Sequence, residues 1–163
     1  MPLTRKTPLK RSSFKKTGKS TGLKRKSVPK VKESGKKPRT KTQAQLKKEL
    51  DAVFSKFIRQ HYADGVTGMV KCYTCSVYKH WKEIQNGHWI PRNILATRFS
   101  EDNCRPQCVA CNMFQKGMPD VFAVNLLKEG VDIVALQQGR YKILKLDRHW
   151  YQEKIDHYKT LIE

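Results

Sequence analysis

Two Cys-x-x-Cys pairs, Cys72-x-x-Cys75 and Cys108-x-x-Cys111, constrain this chain more than any other feature. Brought together, they supply four thiolates, the ligand number of a tetrahedral structural zinc site. A zinc ribbon that does no more than fold a small domain is one reading of that spacing. A disulfide framework fits less well. No apolar signal segment opens the chain, so no oxidising compartment is implied and the protein is expected not to be secreted. Five cysteines is also an odd number. Cys104 is the extra one and reads as a small buried hydrophobe.

Charge divides the chain in two. The 163 residues carry 34 Lys+Arg against 14 Asp+Glu, a formal charge of +20. Residues 1–41 hold sixteen of those cations and one acid, Glu33, while the remaining 122 residues hold eighteen and thirteen. The first segment is a polybasic arm, rich in Ser, Thr, Gly and Pro, that cannot bury enough surface to offset the entropy of ordering it. It is expected to be disordered alone. Its clusters Lys10-Arg11 and Lys24-Arg25-Lys26 suit salt-sensitive, sequence-independent binding to nucleic-acid phosphates. A nuclear address, an RNA-binding tail and an anionic-membrane patch compete for the same composition. The membrane reading is poor, because no apolar run approaches ~18 residues.

Residues 42–163 read as one domain. Thr42 is placed to cap a helix with apolar positions Leu46, Leu50, Val53, Phe54, Phe57 and Ile58 at spacings of three and four. Met69–Cys72 reads as a short strand, Tyr78 to Ile84 has strand character, and Asn103 to Gln107 reads as a further strand. Residues 86–103 are assigned to an irregular loop. Cys111 opens a short helix ended by Gly117 and Pro119. Beyond Pro119 the pattern predicts helices over Val121–Leu127 and Val131–Gln138, an extended Tyr141–Leu144, and a closing helix capped by Asp147. Their apolar stripes are expected to brace a metal site too small to bury its own core.

The segment between the cysteine pairs carries residues suited to phosphodiester hydrolysis. That reaction needs a base for the attacking water and a cation for the developing phosphorane charge. His88 can serve as the base, since imidazole titrates near neutrality, and Gly87 beside it leaves room for a phosphate. Asn112 offers a hard carbonyl oxygen to Mg²⁺ or Mn²⁺, presented toward the same cleft. Asn103 can fix the loop or the imidazole through its amide. Arg92, Arg98, Arg105 and Lys116 are placed to clamp phosphates. His61, His80, His149 and His157 lack this context and are assigned no catalytic role.

In order and spacing, Cys72-x-x-Cys75, Gly87-His88, Arg98-Phe99, Asn103, Gln107-Cys108-Val109-x-Cys111-Asn112 and Gly117 resemble the HNH, or ββα-metal, nucleases of treble-clef type. Within them the pattern is most similar to the phage NinG/Rap recombination nucleases. The resemblance implies an α+β fold with a zinc-stabilised ββα-metal core over about residues 70–117, flanked by helices, with residues 119–163 as a helical C-terminal part. It covers about three quarters of the chain and leaves the arm out. It implies a metal-dependent endonuclease acting on branched DNA such as a Holliday junction or D-loop. Cysteine-held Zn²⁺ is structural, Mg²⁺ or Mn²⁺ is catalytic, and His88, Asn103 and Asn112 are the catalytic residues. A homodimer, phage or host recombination partners and the host-cell cytoplasm follow from the same likeness.

Three positions depart from the general pattern. Gly87 stands where an acidic metal ligand is frequent, Asn112 where histidine is, and Lys116 lies one residue later than the usual lysine. With no carboxylate beside His88, metal affinity is expected to be weak without DNA. The alternative functions are a non-catalytic zinc module binding DNA or RNA, and an accessory protein that recruits recombination partners.

Overall fold

A computed structural model describes residues 40–162 of the chain. The arm clusters Lys10-Arg11 and Lys24-Arg25-Lys26 lie outside the described residues. Helix α1, Gln43–His61, begins at Thr42, whose hydroxyl accepts from the Gln45 amide while the Gln45 side chain accepts from the Thr42 amide. This reciprocal cap satisfies two otherwise orphaned donors. Its apolar stripe buries Leu46, Leu50, Phe54, Phe57 and Ile58. They pack against Tyr151, Ile155 and Tyr158 of the closing helix α5, Arg148–Thr160, which Asp147 caps through the Trp150 amide. Phe54 and Tyr158 meet edge to face at 5.0 Å. Each such buried side chain contributes on the order of 1.5–3 kcal/mol. Cys104 is wholly buried in this core, as a small hydrophobe would be.

Two antiparallel hairpins follow α1. Strand β1, Met69–Lys71, pairs with β2, Tyr78–His80. Strand β3, Gln85–His88, pairs with β4, Cys104–Gln107, in the register Gln85↔Gln107, Asn86↔Pro106, Gly87↔Arg105 and His88↔Cys104. The loop expected over 86–103 is therefore wrong at its start, where Asn86, Gly87 and His88 are strand. The polar composition of β3 hid it, because its stability comes from pairing and from partners on both faces rather than from apolar alternation. The strand expected from Tyr78 to Ile84 ends at His80, and Trp81–Ile84 forms a turn. Arg59 holds that turn to α1, donating to the carbonyls of Trp81 and Ile84 at 3.2 and 3.4 Å and lying over the Trp81 ring.

Residues 89–103 leave β3, form the short helix α2, Leu95–Arg98, and return to β4. A π-helical turn, Ala110–Phe114, carries Cys111 and Asn112. Helix α3, Pro119–Lys128, and α4, Ile133–Gly139, complete the helical part. Tyr141, Ile143 and Leu144, expected to be extended, lie exposed outside any strand. No helix among the described residues is long and apolar enough to cross a membrane.

Candidate metal centre and active-site cleft

The second core is small. It comprises Val70, Ile84 and three of the cysteines, Cys72, Cys108 and Cys111, with Ala63, Trp81 and Met118 packed at its edge. Two aliphatic side chains cannot hold a pair of hairpins together. The cysteines supply the missing tie. The sulfurs of Cys72, Cys75, Cys108 and Cys111 all lie within 4.8 Å of one another, and Cys75 Sγ is 3.7 Å from Cys108 Sγ. A tetrahedral ion with bonds of about 2.3 Å puts its sulfurs about 3.8 Å apart, so the donor set and its spacing fit a structural Zn²⁺. Burial alone would raise the Cys72 thiol, but the amides of Cys108, Cys75 and Thr74 point at the sulfur and lower it to about 6. Burial pushes Cys111 up to about 12. A bound dication would let this sulfur share the thiolate form with its neighbours.

Residues alternate across β3, so its two faces serve different partners. Asn86 and His88 face α1. They line a cleft of about 380 Å³ with Lys48, Asp51, Ser55, Arg59 and Arg92. His88 Nε2 lies 3.2 Å from the Arg98 carbonyl, which can only accept. This contact favours the tautomer with the proton on Nε2, which leaves Nδ1 as the basic atom. Burial holds the imidazole below its usual range; the carbonyls of Arg98 and Asn86 oppose that shift and the Arg92 charge adds to it. Burial thus biases the His88 imidazole toward its neutral form.

Asp51 is the carboxylate of this cleft, and it lies too far from His88 in sequence for any local signal to reveal it. Arg98 grips it with two bonds of 2.8 and 2.6 Å, and Arg92 approaches to 3.0 Å. Burial would raise its pKa, but these arginines hold it below the ordinary value. Through Arg98, Asp51 also fixes the carbonyl that orients His88. Asn103 is fully buried; its Oδ1 accepts from the Ile90 amide at 2.7 Å and its Nδ2 donates to the carbonyls of Ile90 and Thr97. It fastens the 90–97 loop rather than the imidazole.

The opposite face of β3 meets the π-helical turn. Asn112 Nδ2 donates to Gln85 Oε1 at 2.7 Å, so the carbonyl oxygen is the acceptor atom that its amide keeps. The sequence pattern had put Asn112 in the cleft of His88. The structure instead ties it to the same strand on the other face. The phosphate-clamp assignments divide in a similar way. Lys116 is exposed, and Arg92 is largely so. Arg98 is engaged with Asp51. Arg105 is corrected: its side chain is 5% exposed, paired with Glu129 at 2.7 Å and stacked near Tyr62 and Tyr73, so it holds α3 to the hairpin.

Gly87 is explained by space. A Cβ there would meet Gln107 Oε1 at 2.1 Å, and Gln107 is pinned through Nε2 to Gly117 O and Thr74 Oγ1. A carboxylate at this position would have to displace the Gln107 side chain. Gly87→Ala should therefore cost about 1–3 kcal/mol through overpacking, and Gly87→Asp at least as much without tightening Mg²⁺ binding. Thermal melts with and without Mg²⁺ check this; a stable Gly87→Asp protein with higher metal affinity would contradict it.

A cysteine-held hairpin pair joined to a short helical turn, with a histidine ending one strand, defines a zinc-stabilised HNH-like core flanked by helices. The family model described as Bacteriophage Lambda NinG protein matches residues 3–163, so the match reaches through the basic arm that the motif resemblance had left out. The chain belongs to the NinG family. That membership and the cysteine cluster support a nuclease role in phage DNA metabolism. No curated protein and no solved structure gives a significant match.

Proposed function

We propose that the protein is a metal-dependent endonuclease that cleaves branched DNA intermediates of phage recombination. The observation that carries this reading is His88: a desolvated imidazole, fixed in one tautomer by the Arg98 carbonyl, beside the cations of Lys48 and Arg92. Nδ1 takes a proton from water, the water oxygen bonds to phosphorus, and the P–O3′ bond breaks, the departing O3′ taking a proton from solvent. Lys48 and Arg92 neutralise phosphate charge. Mg²⁺ or Mn²⁺, when bound, stabilises the pentacovalent charge and the leaving oxygen. The Asn112 carbonyl is the donor proposed for it, and the sparse protein ligand set fits an ion that keeps mostly water and substrate oxygens.

The test incubates the full chain with labelled four-way junction, D-loop, flap and linear duplex in Mg²⁺ or Mn²⁺, with and without EDTA. Metal-dependent scission favouring a branched substrate supports the reading; tight binding without scission under any metal would favour a non-catalytic zinc module.

The pH profile follows from His88. A base works deprotonated, and burial holds this one below the usual ~6.5. The acidic limb of the single-turnover rate should therefore have its midpoint below that value, with little gain from pH 7 to 8. A midpoint well above it would point to another base.

The sixteen cations of residues 1–41 should bind phosphates by releasing condensed counterions, without reading bases. Deleting them should weaken binding to linear and branched DNA by a similar factor and flatten the salt dependence. Binding curves at several salt concentrations check it; loss of branch preference alone would make the arm a structure reader.

A further inference from the structure

Large apolar side chains rarely stand in solvent without a reason when they sit together beside a functional site. Met113 and Phe114 are 62% and 81% exposed, whereas Phe54, Phe57 and Phe122 are all buried. Both follow directly on Asn112, and Lys116 stands exposed two residues further on. The turn that presents them is fixed at both ends. Cys111 is buried in the zinc centre, Asn112 is bonded to Gln85 on β3, and the Gly117 amide donates to the Cys111 carbonyl at 2.8 Å. Gln107 holds the Gly117 carbonyl from beneath.

The backbone is also strained here. Lys116, Gly117 and Met118 take successive positive φ values of 53°, 81° and 48°. For Lys116 and Met118 this is an unfavourable conformation that the surroundings must enforce. Met118 is packed against the zinc core, which supplies the enforcement. The outcome is a rigid, outward-facing apolar pair flanked by a cation.

We propose that Met113 and Phe114 form a wedge that stacks on unpaired bases at a DNA branch point, with Lys116 on the adjacent phosphate. The proposal rests on the DNA reading above and supplies its substrate class with a physical basis. An apolar wedge must displace base stacking in a linear duplex, whereas at a branch that stacking is already interrupted. Aromatic contact with a base is sequence-tolerant, because every base has a π-face. The location agrees: Asn112, the donor proposed for the metal, directly precedes Met113 and Phe114, so DNA held there brings its neighbouring bases to the turn that carries Phe114.

The experiment uses the full chain in EDTA, so no cleavage intervenes, with 2-aminopurine placed either at the branch point of a four-way junction or within one arm. The wild-type protein should change the branch-point fluorescence several-fold and leave the arm signal unchanged. Phe114→Ala should abolish that change and cut the preference for junction over linear duplex by about tenfold, Met113→Ala should do so in part, and Phe114→Trp should retain it. Since both side chains are exposed, zinc content and melting temperature should not move. An unchanged signal in Phe114→Ala, or equal weakening on junction and linear DNA, would overturn the wedge. So would loss of self-association in Phe114→Ala with the fluorescence intact, which would assign the patch to a second copy. A protein that cleaves nothing with Mg²⁺ or Mn²⁺ yet gives the fluorescence change would sink the nuclease reading and leave the wedge standing.

Discussion

Serine in place of Cys72 or Cys108 should unfold the centre of the domain and release its zinc, whereas Cys104→Ser should keep the metal. The four sulfurs within 4.8 Å close both hairpins around a core whose fully buried aliphatic members, among the described residues, are Val70 and Ile84. Apparent zinc binding in small domains is worth about 10–16 kcal/mol, comparable to or larger than the roughly 5–15 kcal/mol net stability of a typical domain. Losing one ligand therefore removes most of what holds β1–β4 and the π-helical turn. The α1–α5 core is separate in composition, so helical circular dichroism should fall only in part. Cys104 belongs to that other core, where burial pushes its thiol up to about 12 and leaves it inert. A buried serine hydroxyl there should cost about 1–3 kcal/mol. Metal analysis of protein purified without added metal should return about one zinc per chain. Zinc lost from Cys104→Ser but kept in Cys108→Ser would show that the ligand set is wrong.

How much of this was legible depended on whether the signal was local. The α1 stripe, the Thr42 and Asp147 caps and the paired cysteines each announce themselves within a few residues, and the structure holds all of them where the pattern put them. Strand β3 did not. Gln85-Asn86-Gly87-His88 has no apolar alternation, because one face packs on α1 and the other on Asn112 and Gln107 through polar contacts. Gly87 read as room for a phosphate; its reason is the Gln107 side chain that fills the space of a Cβ. Arg105 looked like a phosphate clamp because nothing near it in sequence shows Glu129, its partner from α3. Asp51 was invisible for the same reason. Sequence spacing located the cysteine cluster, and tertiary packing decided which of the candidate cations are engaged within the fold.

Replacing His88 by alanine should reduce cleavage about 10²–10⁴-fold, the range for loss of a positioned general base, while DNA affinity changes only a few-fold. The imidazole is half-buried and held by one long hydrogen bond to Arg98, so the hairpin has other ties, among them the four-residue pairing of β3 with β4. In the proposed reading Lys48 and Arg92 still meet phosphate, which is why binding and catalysis should separate. The deciding measurement is single-turnover cleavage of one labelled four-way junction by wild type and His88→Ala at saturating protein and Mg²⁺. Binding should be taken on the same junction in EDTA, and zinc content should confirm the fold. Scission by wild type, its near-complete loss in a zinc-loaded variant and matched affinities are the predicted result. Undiminished cleavage by folded His88→Ala protein would contradict the assignment of His88 as the base, and with it the reading of this cleft as the active site.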